Sequence, residues 1–417
     1  MSAKSGFLLF CILLVAAVLP GSAPNNEEGS KGVSFPQGLK ENRTQAEQYG
    51  ISPATIAAVF RCIRPLGRLL KQDRKQAEYS KTFFEYLHGR VSNSLISNGR
   101  ARIKQHRTLL VKLKAKYGVP PEILVALWGL ESGYGAVTGN TPVIAALSTL
   151  AYDGRRRGFH RRELLSALRI LEQGHIKPNQ MLSSWAGAMG RPQFMPSTYL
   201  RWGVDADGDG RVDIWRSVPD ALASTANYLT GIRRQRGQPW GTEVRLPAGF
   251  DAYQARLSWK QTNDDWNTLG IRLANGRPLP VSNAVGSIVL PAGIRGPAFL
   301  VYANFRIITE WNKSLFYTLS VGHLSDRLAG KKGLVGKPPP GGKLLCTSVL
   351  KAMQADLDAL GFDAGEPDGM VGIQTRQALR DYQRSRGIPA DAYPTPRLAE
   401  RLRRKAAPGS GRGREPA

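Results

Sequence analysis

The 417-residue chain has only three cysteines, 32 acidic residues against 58 Lys and Arg, and one long apolar run. Beyond Leu19 no segment approaches a membrane span in length or apolarity. No internal repeat is present. Cys11 lies in the apolar run, so Cys62 and Cys346 are the thiols left to a processed chain. They either pair in an oxidising compartment or remain two separate thiols. The shortage of acid leaves a formal charge of +26, which implies an anionic partner surface or polymer. Nucleic acid, an anionic membrane face and a bacterial wall all carry that charge. A solvated basic surface without a specific ligand is the alternative.

The N-terminus narrows these choices. Lys4 precedes the apolar run Phe7 to Leu19, and Pro20, Gly21, Ser22 and Ala23 follow, the pattern of a secretory signal peptide over residues 1–23. The run is short for a membrane span, though Pro24 makes cleavage after Ala23 awkward and leaves an uncleaved anchor as the alternative. Cys11 follows Phe10 rather than the small residue a lipobox requires, so lipidation is not expected. Export to a periplasm argues against a nucleic-acid partner, and membrane contact is expected only if the signal segment stays.

Residues 24–32 are polar and Gly-rich and read as a disordered lead-in. Helical patterning dominates from about Ser34 to Arg236; in Arg162 to Gly174, for example, Leu164, Leu165, Leu168, Ile170 and Leu171 form a stripe. Short apolar pieces broken by Pro and Gly run from Trp240 to Val301, with Ile288, Val289 and Leu290 a candidate strand, and helical pattern returns from Ala303 to Leu328. The expected fold class is α+β and mainly helical, a large domain over 33–329 with a small β-containing insertion. Residues 330–344, GKKGLVGKPPPGGKL, read as a linker. A small module over 345–405 follows, then a tail over 406–417 expected to be disordered.

The most informative stretch runs from Tyr117 to Gly135. Pro120 and Pro121 start a helix, and Gly133 and Gly135 end it. Ile123 to Leu130 is apolar all round, so the helix is expected to be buried, with Leu124, Leu127 and Glu131 on one face. A carboxyl group there is desolvated, which disfavours its charged form and suits a general acid. A Glu that leaves the core for a surface ion pair is the alternative.

The segment Leu127-Trp-Gly-Leu-Glu-Ser-Gly-Tyr-Gly135, then Gly139-Asn-Thr-Pro-Val143 and Leu147-Ser-Thr-Leu-Ala-Tyr152, resembles the MltB-type lytic murein transglycosylases. Ser184-Trp-Ala-Gly-Ala-Met-Gly190, Gln193-Phe-Met-Pro-Ser197, Ala226-Asn-Tyr228, Leu290-Pro-Ala-Gly, Gly296-Pro-Ala-Phe and Trp311-Asn-Lys-Ser continue the likeness in order. The resemblance implies a lysozyme-like fold that cleaves the bond between N-acetylmuramic acid and N-acetylglucosamine in peptidoglycan strands without water. It implies Glu131 as the single acid and base, the sugar's own C6 hydroxyl replacing water and a 1,6-anhydromuramic end forming. Ordinary glycosidases use two carboxylates. No second carboxylate accompanies Glu131 in a comparable motif; Asp153 and Glu163 are nearest and, set among arginines, are expected to form solvated ion pairs. The resemblance further implies Ser184, Gln193, Tyr228 and Asn312 as substrate-contacting residues. Two departures stand out: Arg191-Pro192 precede Gln193 where smaller or less rigid residues are usual, and Trp311 replaces a Tyr.

Asp205-Ala-Asp-Gly-Asp-Gly-Arg-Val-Asp213 alternates oxygen ligands as calcium loops do, with Arg211 offering only its backbone carbonyl. Arg216 stands at the twelfth position in place of Glu, so standard EF-hand function is not expected. The resemblance implies a structural calcium held by Asp205, Asp207, Asp209 and Arg211 and completed by Asp220; an Asp and Gly turn without an ion is the alternative. No cofactor is expected for the chemistry. In the module, Leu357-Asp-Ala-Leu-Gly-Phe-Asp, Asp368-Gly-Met-Val-Gly372, Thr375-Arg-Gln-Ala-Leu379 and Tyr382-Gln-Arg-Ser-Arg-Gly-Ile-Pro389 resemble the small three-helix peptidoglycan-binding domain, which implies wall tethering. The alternative is a helical packing unit that binds nothing.

Overall fold

The computed structural model describes residues 34–61, 63–70, 81–153, 156–340 and 345–406. The expected signal segment and lead-in, Cys62, the Asp153 side chain and the tail after 406 lie outside this description. Among the described residues two compact units are present: one takes in those within 34–70, 93–236 and 310–314, the other those within 81–92, 237–309 and 315–406.

The first unit is helical. Helices Phe35–Gln48, Pro53–Phe60, Val143–Asp153 and Arg157–Glu172 enclose a core that includes Leu147, Leu164, Leu168, Met189, Phe194 and Tyr199. The stripe expected in Arg157–Glu172 is buried at Leu164, Leu168, Ile170 and Leu171, while Leu165 is only partly covered. Strands β1 (Thr141–Pro142) and β2 (Leu182–Ser183) pair antiparallel. Beside them Gly139 has φ +91°, and a Cβ there would lie 2.0 Å from the Ser183 carbonyl oxygen, so only glycine fits. Helix Pro121–Ser132 begins on Pro121, where the missing N–H costs nothing. Every residue from Ile123 to Ser132 is buried, as expected of an all-round apolar helix. It ends because Gly133 adopts the left-handed conformation at φ +56°, its N–H donating to the Gly129 carbonyl.

The second unit carries an antiparallel sheet of β3 (Gly241–Arg245), β4 (Gln261–Thr262), β5 (Arg272–Leu273), β6 (Val285–Val289) and β7 (Ala298–Val301), in the order β4-β6-β7-β3-β5. The expected segment Ile288–Leu290 begins earlier, at Val285, and Leu290 lies outside the strand. Trp266, Ile288 and Leu300 are fully buried on this sheet's core side. The module's helices Thr347–Ala359, Ile373–Ser385 and Pro396–Ala406 share a core of Leu350, Met353, Leu357, Leu379, Tyr382 and Leu402. At its centre Gln354 accepts from Gly369 N–H (2.7 Å), and its amide nitrogen lies near acceptors on Glu366, Asp368, Met370 and Thr375.

The Pro and Gly stretch has no helix or strand over 330–340, yet it is held: Val335 and Gly336 N–H donate to the Glu243 carboxylate at 2.8 and 2.6 Å. The module itself touches the insertion. Tyr253 lies between the guanidinium groups of Arg256 and Arg384, at 4.1 and 4.2 Å, and Asp391 accepts from Ile294 N–H at 2.9 Å. These contacts restrict the freedom that the linker's composition suggests.

Candidate active site

Glu131 sits on the last turn of the buried helix and is only 9% exposed. Its side chain is buried rather than turned out to the surface. Its Oε1 accepts the indole N–H of Trp311 at 2.7 Å, a contact across 180 residues of chain. Trp311 packs edge-on against Tyr228 (5.1 Å, 81°) and tilted against Phe194 (5.4 Å). Glu131, Gln193, Phe194, Met195, Thr198, Tyr228 and Trp311 line one pocket of about 40 Å³. That holds roughly three waters, too little for a sugar ring. Burial, then the charge of Glu310, push the Tyr228 hydroxyl up to about 12, so it stays a neutral donor and acceptor at working pH.

The Arg191-Pro192 pair builds the neighbouring loop rather than distorting it. Ser132 Oγ donates to the Arg191 carbonyl (2.8 Å) and accepts from Gly135 N–H (3.0 Å), which ties the residue after Glu131 to the loop leading to Gln193. Arg191 N–H donates to the Ile214 carbonyl at 2.9 Å, and its guanidinium lies 5.8 Å from the Trp128 ring. Gln193 takes the left-handed conformation, φ +53°, costly for a non-glycine residue. Its amide nitrogen offsets that cost by donating to the Gly190 and Thr138 carbonyls at 2.8 and 3.1 Å.

Glu163 corrects a second expectation. It is not a solvated partner of arginine: it is 4% exposed, and its carboxylate accepts Ser197 N–H (2.9 Å) and Ser197 Oγ–H (2.7 Å). Burial pushes the carboxyl up, against the pull of those hydrogen bonds. It therefore fixes the segment that carries Met195 and Thr198 into the pocket.

Of the residues singled out in the sequence, Glu131, Gln193 and Tyr228 meet in the pocket lining. Ser184 and Asn312 do not line it: Ser184 Oγ accepts from Ala188 N–H (3.3 Å), and buried Asn312 accepts from Ser314 N–H (3.0 Å). Trp311 as a partner of Glu131, with Phe194, Met195 and Thr198 in the lining, was not read from sequence. The departure from Tyr at 311 was the one visible signal.

The acidic loop is compact. Ligand oxygens of Asp205, Asp207 and Asp209 lie within 4.8 Å of one another. Asp205 accepts Gly208 and Gly210 N–H, Asp209 accepts Arg211 N–H, and Asp207 accepts the Ser217 hydroxyl. Asp220 is not in that cluster. It is fully buried, with its two oxygens accepting Ala206 N–H (2.8 Å) and Asp213 N–H (2.7 Å), and burial pushes its carboxyl up. Three like charges on an all-oxygen donor set suit a hard cation.

Comparison with known proteins accords with this geometry. Residues 34–326 match the Transglycosylase SLT domain, and 348–402 match the Putative peptidoglycan binding domain. The chain is 32% identical over 235 residues to the membrane-bound lytic murein transglycosylase B of Escherichia coli (strain K12), covering 56% of this chain and 64% of that protein. SltB3 from Pseudomonas aeruginosa, solved with NAG-anhNAM-pentapeptide, is 45% identical with a TM-score of 0.86, covering 89% of this chain and all of that one. The Escherichia coli lytic transglycosylase Slt35, solved with calcium, is 26% identical with a TM-score of 0.59, covering 70% and 92%. The fold is thus the mainly helical, lysozyme-like one expected, with small sheets and a helical C-terminal domain. The chain belongs to the transglycosylase SLT family, homologous to the MltB and SltB3 lytic transglycosylases.

Proposed function

We propose that this protein is a peptidoglycan lytic transglycosylase that cleaves the N-acetylmuramic acid to N-acetylglucosamine bond with Glu131 as acid and then base. One observation carries the reading: a buried carboxyl on a rigid helix end, hydrogen-bonded by Trp311 and opening on a pocket walled by Gln193 and Tyr228. A carboxyl held this way delivers a proton to the leaving oxygen and regains one from the C6 hydroxyl, giving a 1,6-anhydromuramic end. SltB3, at 45% identity, was solved with a saccharide of that kind, which supports the substrate class. Ser184 and Asn312 then shape loops beside the site. The C-terminal domain holds the chain on the same polymer, and the charge of +26 favours an anionic wall.

No helix among the described residues is long and apolar enough to cross a membrane. Export to the periplasm through the N-terminal segment is part of the proposal, as is a structural calcium on Asp205, Asp207 and Asp209. The all-oxygen cluster and the calcium complex of Slt35 support that ion, with Asp220 shaping the loop from within.

Mass spectrometry of muropeptides released from sacculi tests the reading. The wild-type protein should release 1,6-anhydro products and Glu131→Gln none. Ends carrying an added water would assign a hydrolytic muramidase instead, and equal lysis by both proteins would assign a non-catalytic scaffold.

A further inference from the structure

Three consecutive residues after Ser132 take the left-handed conformation: Gly133 at φ +56°, Tyr134 at +64° and Gly135 at +86°. Glycine adopts it freely, but at Tyr134 the Cβ crowds the following carbonyl, so the turn needs outside support. Arg191 supplies it. One terminal nitrogen of its guanidinium donates to the Tyr134 carbonyl and the other to the Arg216 carbonyl, each at 3.4 Å. The group passes so close to Gly135 that a Cβ there would lie 1.8 Å from a terminal nitrogen. Its central carbon lies 5.8 Å from the Trp128 ring, against which Arg102 also lies at 5.9 Å. Burial, and then Arg102, hold the Arg191 guanidinium below its usual range, with Asp213 opposing. Its buried Nε meets no acceptor among the described residues. The guanidinium thus costs desolvation, and what it gains is a hold on two carbonyls from separate segments.

We propose that Arg191 is a positioning residue whose guanidinium clamps the left-handed turn 133–135 to segment 214–216 and so fixes Gln193 against Glu131. The proposal rests on the transglycosylase reading, in which Glu131 moves the proton and Gln193 meets the sugar. Two routes carry the effect. Toward Glu131, the clamped turn directly follows Ser132, whose hydroxyl also donates to the Arg191 carbonyl at 2.8 Å. Toward Gln193, the Arg191 N–H is held by the Ile214 carbonyl at 2.9 Å, and two residues further on Gln193 keeps its own left-handed backbone at φ +53°. Strained residues lie on both sides of one arginine. Loosening that arginine lets both relax, and each relaxation moves a residue of the pocket lining. A planar guanidinium fork reaches both carbonyls at once, which the point charge of an ammonium cannot do.

Arg191→Met keeps an unbranched stem over Gly135 and removes the fork. With soluble murein fragments, kcat/KM for anhydro-product release should fall on the order of 100-fold, the cost of a displacement of about 1 Å. The loss should be divided between a lower kcat and a higher KM, and should persist at temperatures well below unfolding. A role in stability alone would lower kcat through the folded fraction, leave KM unchanged and vanish on cooling; that result, or an unchanged kcat/KM, overturns the proposal. Arg191→Lys keeps the charge without the fork and should stay at least about tenfold below the wild type. A Lys variant equal to the wild type would leave the clamp without a role. In a Gln193→Ala background, Arg191→Met should change KM by less than about twofold, because the residue through which it acts on binding is already gone. The same rise in KM in both backgrounds also overturns the proposal. Should the Met variant fail to fold, the Lys variant carries the same comparisons. If the wild-type protein releases no anhydro product, the transglycosylase reading itself fails, an outcome distinct from these.

Discussion

Glu163 Oε1 accepts the hydroxyl of Ser197 at 2.7 Å, joining helix Arg157–Glu172 to the start of helix Pro196–Trp202, next to the residues that line the Glu131 pocket. Because burial raises this carboxyl, the folded state holds its proton at a pH where the unfolded chain has released it. Its contribution to stability is therefore full below the unfolded value of 4.5 and falls as pH rises through the folded one. Glu163→Gln should flatten that decline in thermal unfolding. Glu163→Ala leaves the Ser197 N–H without its partner and should cost about 1–3 kcal/mol. A stability–pH curve of Glu163→Gln that matches the wild type would refute this reading.

His323 has the opposite sign. Burial first, then Arg327 and His88, lower it from 6.5 to about 4. Below pH 6.5 the unfolded chain takes up a proton that the folded chain refuses, so stability falls between about pH 6.5 and 4. The full effect is roughly 3 kcal/mol at 1.36 kcal/mol per pH unit. Denaturant melts at pH 7.5 and 4.5 should show the loss, and His323→Gln should reduce it.

Leu127 is 1% exposed and lies one helical turn before Glu131. Leu127→Ala should destabilise the protein by about 2–5 kcal/mol through lost burial and a residual cavity. Some activity should be lost with it at temperatures well below unfolding, since the cavity lies one helical turn from Glu131, the proposed acid and base. Full activity with full stability would show that the helix does not depend on this contact.

If the loop of Asp205, Asp207 and Asp209 holds calcium, a chelator should lower the melting temperature and calcium should restore it. At a hundred times the dissociation constant the ion adds about 2.7 kcal/mol. Asp207→Asn should abolish this calcium dependence while leaving the chelated protein's melting point near that of the wild type. A wild-type melt indifferent to calcium would remove the ion from the proposal.

The sequence disclosed what depends on local rules. Two prolines and a left-handed glycine bound the Glu131 helix, and its all-round apolarity foretold burial. The β-containing insertion was legible from punctuation alone, though not its strand order, which depends on pairings between distant segments. Trp311 escaped for the same reason: its bond to Glu131 spans 180 residues, and no local pattern encodes a partner so far away. Glu163 was misread because neighbouring arginines suggested solvent, whereas its position on the helix turns it inward to Ser197. The family resemblance, rather than periodicity, selected Gln193 and Tyr228, and it also brought in Ser184 and Asn312, whose bonds are to their own loops.

The amide of Gln354 meets groups only 12 to 21 residues further along the chain, at Glu366, Asp368, Gly369, Met370 and Thr375. Such short loops close at little entropic cost, so the helices and the turn between them can condense around one side chain early. The C-terminal domain thus needs no distant strand to begin folding. Loss of the Gln354 amide should slow its formation as well as weaken it.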